Sequence, residues 1–445
     1  MSRVDALSIV AIGDIGSFDL YHVGDEAMLD ANLTRLRAVI PDVRFTVLSR
    51  DPQFSSQLYQ CTAILPIGFP SPDETSESVS HERMIQVKRA AERRRAGTLS
   101  GTDPLEQVVN AIAEADGVLI SGGGNLSSTW THHLYERAAL IDAADILGKP
   151  VVMTGQTIGP NLLPAHQQVL EQVLPLVSYL GARELDTFRL ALKLGVSPQR
   201  LVYQVDDALY MDDEPFDTPD FDTSEAFIAV TIHPFADPAS DSPLFAQLAH
   251  ALEAISEKCG ARLVFIPHLQ RADDNPQLSD AVVGRKIQSL MRNPETMRLV
   301  EVATARKVYG LTKRASMVLS TRYHPLVFGV GSSVPGIGLF TDDYTRIKLS
   351  GALEHAELHQ WIMPLEVGVV DALVDAALDL WSNREQVTTY LRALQPLWHT
   401  LERARLVEIC QHFGVTLEES DVSLFAGAAQ QAVNPDPQSS WLTAR

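Results

Sequence analysis

The feature that most constrains this chain is a repeated alternation: a short β-branched run, then a helix-length segment, then another short run. In the first half LSIVAI (7–12), RFTVLS (44–49), GVLIS (117–121), PVVMTG (150–155), SYLGAR (178–183) and LVYQV (201–205) read as strands. The segments 26–40, 106–115, 136–148 and 186–195 between them read as helices. Strands separated in this way return by crossovers rather than hairpins. The expected product is an α/β fold with a mostly parallel sheet covered on both faces.

The pattern breaks at DDEPFDTPDFDTSE (212–225), which holds seven acids, two prolines and no base. It reads as a solvated linker, or alternatively as a long surface loop within one domain. Strands then resume at 227–233, 262–267, 297–302, 317–323 and 335–340, with helices near 243–258 and 278–292 and more helix out to about residue 414. The expected organisation is a first domain over 1–211, the linker 212–225, a second domain over 226–425, and a disordered tail over 426–445. Two doubly wound halves of this kind bind ligands at the carboxyl ends of their strands, here expected in a cleft between them. Residues 71–103 read as an insertion. Within it, HERMIQVKRAAERRRA (81–96) has six Lys/Arg against two Glu. It reads as a solvated basic helix, or as a contact for a phosphorylated or membrane-linked substrate.

At 445 residues the chain is long enough for two large domains. Lys+Arg 36 against Asp+Glu 56 leaves a formal charge of −20, a poor match for general nucleic-acid binding. An anionic substrate would need a locally basic pocket. Cys61, Cys259 and Cys410 are far apart and form no CxxC pair, so neither a disulfide framework nor a structural zinc site is expected, and a reducing compartment is. No leader or spanning segment is read, which together points to a cytoplasmic protein. No cofactor is called for, and no His/Asp/Glu cluster has the spacing of metal ligands.

Chemistry-bearing residues gather where strands end. GDIGSFDLYHVGDEA (13–27) follows the first strand but lacks the GxGxxG spacing; its Asp25 could receive a substrate hydroxyl or simply cap a helix. SGGGNLSS (121–128) lets the backbone approach a ligand closely, and GQTIGP (155–160) reads as a second strand end and tight turn. Gly123, Gly124, Asn125 and Gln156 are candidate substrate contacts at these strand ends. The adjacent His132 and His133 make a poor metal pair. GARELDT (181–187) places Arg183 at a strand end, where it could grip a carboxylate or phosphate, or pair with Glu184 or Asp186; Asp206 is placed to orient an arginine. The sharpest element is STRYHPLVFGVGSSVPGIGLF (320–340). There Arg322, Tyr323 and His324 meet the start of a buried helix whose free N–H groups suit an anion. A core histidine is the plainer reading of His324. Arg346 and Lys348 follow on a later loop.

In this order, Gly24-Asp25, Gly122 to Gly124, Gly155 to Pro160, Ala182 to Glu184, Asp206 to Ala208, Ser320 to His324 and Lys348 to Gly351 resemble the polysaccharide pyruvyl transferase family. The resemblance implies two Rossmann-like domains in a glycosyltransferase-B-like arrangement. It implies phosphoenolpyruvate as donor substrate, a sugar in a glycan or lipid-linked precursor as acceptor, and a pyruvate ketal as product. It carries donor binding to Arg183, Arg322 and Lys348, and catalysis to His324. Tyr323 and His324 are further candidate donor contacts, and Asp25 is a second candidate catalytic residue. Contact with a membrane surface through a lipid-linked acceptor, and a homo-oligomer, are compatible with it. His22 stands where the family usually has Asn, and His233 where it commonly has Arg. Three alternatives stay open: a nucleotide-sugar glycosyltransferase or epimerase of the same architecture, pyruvyl transfer to a small metabolite, and a binding protein that has lost the chemistry.

Overall fold

The computed structural model describes residues 6–417, except 72–75, 100, 102, 217–224, 237, 239, 241, 272–278, 302 and 369. The described chain falls into two compact units. The first comprises residues 6–17, 28–207 and 399–417, and the second residues 18–27 and 208–398.

The strands of the first unit are β1 (Ser8–Ile12), β2 (Arg44–Leu48), β3 (Thr62–Ile64), β4 (Gly117–Ile120), β5 (Gly123–Leu126), β6 (Val151–Ile158), β7 (Tyr179–Ala182) and β8 (Leu201–Tyr203). They form one parallel sheet in the order β3-β2-β1-β4-β6-β7-β8, with β5 alongside β6. Its helices are α1 (Val23–Val39), α2 (Pro52–Tyr59), α3 (Ser76–Arg95), α4 (Pro104–Glu114), α5 (Thr131–Ile146), α6 (Pro164–Val173) and α7 (Leu185–Lys193). Alternate strand residues serve opposite cores, as the two-residue period demands. Val10, Ile12, Val118, Ile120 and Met153 pack with α4 and α5, while Ile9, Ala11, Leu119 and Val152 pack with Leu29, Leu33 and Leu36 of α1. With both faces covered, these strands can read as unbroken hydrophobic runs.

The second unit holds β9 (Phe227–Thr231), β10 (Arg262–Phe265), β11 (Met297–Leu299), β12 (Met317–Ser320), β13 (Gly336–Phe340) and β14 (Ile362–Pro364). Its sheet is also parallel, ordered β11-β10-β9-β12-β13-β14, the doubly wound order. Its helices are α8 (Pro243–Cys259), α9 (Asp280–Leu290), α10 (Ala305–Thr312), α11 (Tyr323–Gly331), α12 (Asp343–Glu354) and most of α13 (Val370–His412). In each sheet the strand order reverses between a central pair, β1/β4 and β9/β12, and the loops leaving those strands are where ligands bind in such folds. Among the described residues, no helix is long and apolar enough to cross a membrane.

Four expectations need correction. First, the unit boundaries differ from 1–211 and 226–425. Residues 18–27 join the second unit because its backbone holds them: Val23 donates to the His268 carbonyl (3.0 Å), Gln270 to the Tyr21 carbonyl (2.9 Å), and Ala305 to the Tyr21 hydroxyl (3.0 Å). Residues 399–417 return to the first unit, where Leu406, Ile409, Cys410 and Phe413 pack in the core with Ile9, Leu119 and Tyr179. Of the linker 212–225, residues 217–224 lie outside the described residues, as does the tail 426–445.

Second, the segment 71–103 is an integral part of the first unit rather than a solvated insertion. Met84, Val87, Ala90 and Ala91 of α3 are buried in the core with residues of α4 and α5. Its cations serve its own unit: Arg83 donates to the Ile67 carbonyl (2.8 Å), Arg95 donates to the Ile146 carbonyl (3.3 Å), and Lys88 pairs with Asp142 (3.1 Å). Third, GQTIGP is not a turn throughout, since Gly155 to Ile158 lie inside β6. Gly155 takes φ +52°, and a Cβ there would sit 2.8 Å from the Asp207 carboxyl carbon. Fourth, the C-terminal helices are a single 43-residue helix, α13, with Pro396 inside it.

Candidate functional site

In the second unit the loops after β9, β10 and β12 bring several imidazoles to the start of α11. Ser320 shapes the turn: its hydroxyl accepts from the Arg322 N–H (2.8 Å) and donates to the Arg322 carbonyl (2.9 Å). The helix begins at Tyr323, so Pro325 is its third residue rather than its first. All nine residues of α11 are buried, and the side chain of its N-cap residue, Arg322, makes no capping hydrogen bond. Its first-turn N–H groups and positive dipole end therefore suit an anion.

Arg322 is fixed by a carboxylate that sequence reasoning missed. Asp280, fully buried at the start of α9, accepts from the Arg322 guanidinium twice (2.6 and 3.3 Å) and from the backbone N–H groups of His268 and Leu269 (3.0 Å each). The guanidinium is oriented, and much of its charge is offset. His268 was missed too. Its ring is 2% exposed and packs on Phe328 (5.7 Å between centroids), as does His324 (6.0 Å). Burial, with His324, Arg322 and His22 nearby, holds the His268 imidazole neutral, well below the usual histidine range. Among the described residues, neither of its ring nitrogens has a hydrogen-bond partner. His233, after β9, is pushed down to about 4, first by burial and then by Arg322.

The first-loop residues belong to this cluster. The His22 ring meets Asp25 (Nδ1–Oδ2 2.7 Å), so Asp25, third in α1, is a histidine partner rather than an N-cap. Gly24 lies directly under His324: a Cβ at Gly24 would fall 1.9 Å from Nδ1 of that ring. Tyr323 is buried and meets the His324 ring edge-on at 5.1 Å. Lys348 is on α12 rather than a loop, with its ammonium 5.2 Å from the Tyr344 ring centre. Among the described residues, no hydrogen bond or ion pair joins Lys348 to Arg322 or His324.

In the first unit, Arg183 and Gln156 each have close partners within the fold. Arg183 is 1% exposed and held by two acids: its guanidinium donates to Glu184 (2.9 Å), Asp206 (2.7 Å) and the Thr157 hydroxyl (2.8 Å). Two carboxylates offset much of the Arg183 charge and orient it, as Asp280 does for Arg322. Gln156 directs its amide N–H groups to the backbone carbonyls of Ser121 (2.9 Å) and Thr154 (2.7 Å), which orders the strand ends. Gly123, Gly124 and Asn125 lie in β5, and Asn125 is buried with its amide nitrogen unpartnered. Asp207 is the other acid of the DxA strand end. It accepts from Asn32 (2.8 Å), Thr154 (2.5 Å) and the Gly122 N–H (3.0 Å), and pairs with buried Arg405.

Several solved structures share this fold at low identity. A UDP-N-acetylglucosamine 2-epimerase aligns over 92% of this chain and 97% of its own, at TM-score 0.59 and 11% identity. The Methanocaldococcus jannaschii UDP-GlcNAc 2-epimerase aligns over 85% and 93%, at TM-score 0.52 and 11% identity. Anabaena HepE in complex with UDP-glucose aligns over 92% and 98%, at TM-score 0.51 and 14% identity. These likenesses establish the two-domain glycosyltransferase-B-like fold. By sequence, the chain is 21% identical over 398 residues to the amylovoran biosynthesis protein AmsJ of Erwinia amylovora, covering 84% of this chain and 93% of that protein. The profile of the polysaccharide pyruvyl transferases matches residues 22–343, from the histidine beside Asp25 through the Arg322–His324 turn and β13. The chain is therefore a transferase of polysaccharide biosynthesis and belongs to the polysaccharide pyruvyl transferase family.

Proposed function

We propose that this enzyme moves the pyruvyl group of phosphoenolpyruvate onto two hydroxyls of one sugar, releasing phosphate and leaving a pyruvate ketal. The observation that supports this best is the convergence of Arg322, His324 and His268 at the N-terminus of α11. The anionic donor is held there by the first-turn N–H groups, the oriented Arg322 guanidinium, and an N–H from neutral His268. With Arg183 already between two acids, the donor relies on the helix end and imidazoles more than on unpaired cations.

His324 acts as general acid, delivering a proton to the methylene carbon or managing the proton of the departing phosphate. Protonation makes the adjacent carbon electrophilic, and a sugar hydroxyl bonds to it. The carbon–oxygen bond to phosphate breaks, a second hydroxyl closes the ketal, and that hydroxyl's proton leaves to solvent. Asp25, paired with His22, takes a hydroxyl proton.

The test is incubation of the full chain with isotopically labelled phosphoenolpyruvate and a panel of glycosides, read by phosphate release and product mass. The expected product carries the labelled pyruvate less one water. Turnover of nucleotide sugars without phosphoenolpyruvate consumption would overturn the proposal, and so would equal phosphate release from H324A.

A further inference from the structure

A second polar cluster, in the first unit, is not used by the donor chemistry. A short 3-10 turn (Ser128–Trp130) leads from β5 into α5. Trp130 keeps 43% of its surface exposed there, although the strands and helix beside it are largely buried. Its ring meets His132 edge-on and His133 at a tilt, both at 6.5 Å. The two histidines are consecutive, yet their rings lie 3.9 Å apart.

Behind them sits Asp14, just past β1 at the strand-order reversal of this sheet. Its carboxylate contacts His133 Nε2 (3.3 Å) and the Arg50 guanidinium (3.1 Å). Burial would raise it, but His133, Arg50 and Arg137 outweigh that and hold it ionised. Arg137 contacts His133 Nδ1 from the far side (3.4 Å). The charges of this cluster thus largely answer one another.

Beside these charges lie several neutral polar atoms. Among the described residues, the Asn125 amide nitrogen, the Ser127 hydroxyl, the Thr131 hydroxyl and His132 Nδ1 are all buried without a hydrogen-bond partner. Asn125 and Ser127 are 6% and 1% exposed, and they alternate along one extended segment, so they share a face. A buried polar atom without a partner costs on the order of 1–3 kcal/mol, so four within eight residues call for an explanation. His132 is pushed down to about 4, chiefly by burial and then by His133, and so offers a neutral imidazole.

Neutral donors and acceptors beside an exposed aromatic face match a carbohydrate, which has an apolar C–H face and a rim of hydroxyls. We propose that Trp130, with Asn125, Ser127 and His132, is the binding platform for the acceptor sugar. One face of the pyranose ring rests on the indole, and its hydroxyls meet the three polar groups. The assignment rests on the family's sugar acceptor, but not on the identity of the donor.

Saturation-transfer NMR of the full chain with a panel of methyl hexopyranosides, without phosphoenolpyruvate, tests it. The expected result is transfer to at least one glycoside, strongest at the C–H protons of one ring face. Trp130→Ala should weaken that binding about tenfold or more, equivalent to about 1.4 kcal/mol, with an unchanged thermal melt. Asn125→Ala and Ser127→Ala should weaken it by smaller steps. Absence of transfer to every glycoside, or undiminished transfer in W130A, overturns the proposal. Failure of phosphate release from phosphoenolpyruvate would instead strike the donor assignment and leave this one standing.

Discussion

Replacing Gly24 by alanine should disable the enzyme through its histidine. The added Cβ would lie 1.9 Å from His324 Nδ1, where ordinary contacts begin near 3.4 Å. Ring or backbone must therefore give by roughly 1.5 Å, the difference of those two distances. The ring has little room to yield: His324 is 6% exposed and every residue of α11 is buried. A displacement of about 1 Å in a reacting group can cost about 10²-fold, so G24A should lose about two decades of turnover, or about 2.7 kcal/mol of barrier. Overpacking should also cost about 1–3 kcal/mol of stability. H324A alone should lose about 10²–10⁴-fold. In the H324A background the alanine no longer meets a ring, so G24A should add little there. The assay is phosphoenolpyruvate-dependent phosphate release for all four members of the cycle, with thermal melts alongside. Native turnover in G24A, or an equal loss in both backgrounds, would refute the reasoning.

Three further expectations follow from the same geometry. His233 has a folded pKa of about 4 against an ordinary value of 6.5, so the unfolded chain binds the extra proton between those values; stability falls as pH drops through that window, by up to about 3 kcal/mol from this group, and denaturant melts of H233Q should show a shallower pH slope. Arg322→Lys keeps the charge but loses the two-pronged grip on Asp280, so it should raise the Michaelis constant for the donor about tenfold or more, whereas Asp280→Asn should both impair the donor site and lower the melting temperature. Arg405→Met leaves the buried Asp207 and Glu402 carboxylates short of their cation and should destabilise the first unit by about 3–5 kcal/mol in chemical denaturation.

The strand–helix alternation was legible because parallel strands buried on both faces must be continuously apolar, and LSIVAI, GVLIS and PVVMTG are. Elements whose residues do not advertise their state were missed. β5 is built on GGNL, where glycine hides the strand, and α2 and α6 fall in stretches read as connection. The turn Ser320–His324 was legible because an arginine and a histidine at a strand end, followed by an apolar helix, have few other uses. Asp280 and His268 were not, since nothing near them in the chain announces Arg322, 42 residues beyond Asp280.

By itself, then, the sequence determined the class of fold, the family and the strand-to-helix turn at Arg322 and His324, because these depend on local periodicity and on motifs a few residues long. Tertiary structure alone decided which charges remain available. Folding sets Glu184 and Asp206 against Arg183 and Asp280 against Arg322, and it buries His268, a histidine passed over in the sequence, near Arg322 and His324. Charge balance and desolvation depend on what surrounds a group in three dimensions, and those neighbours are scattered along the chain.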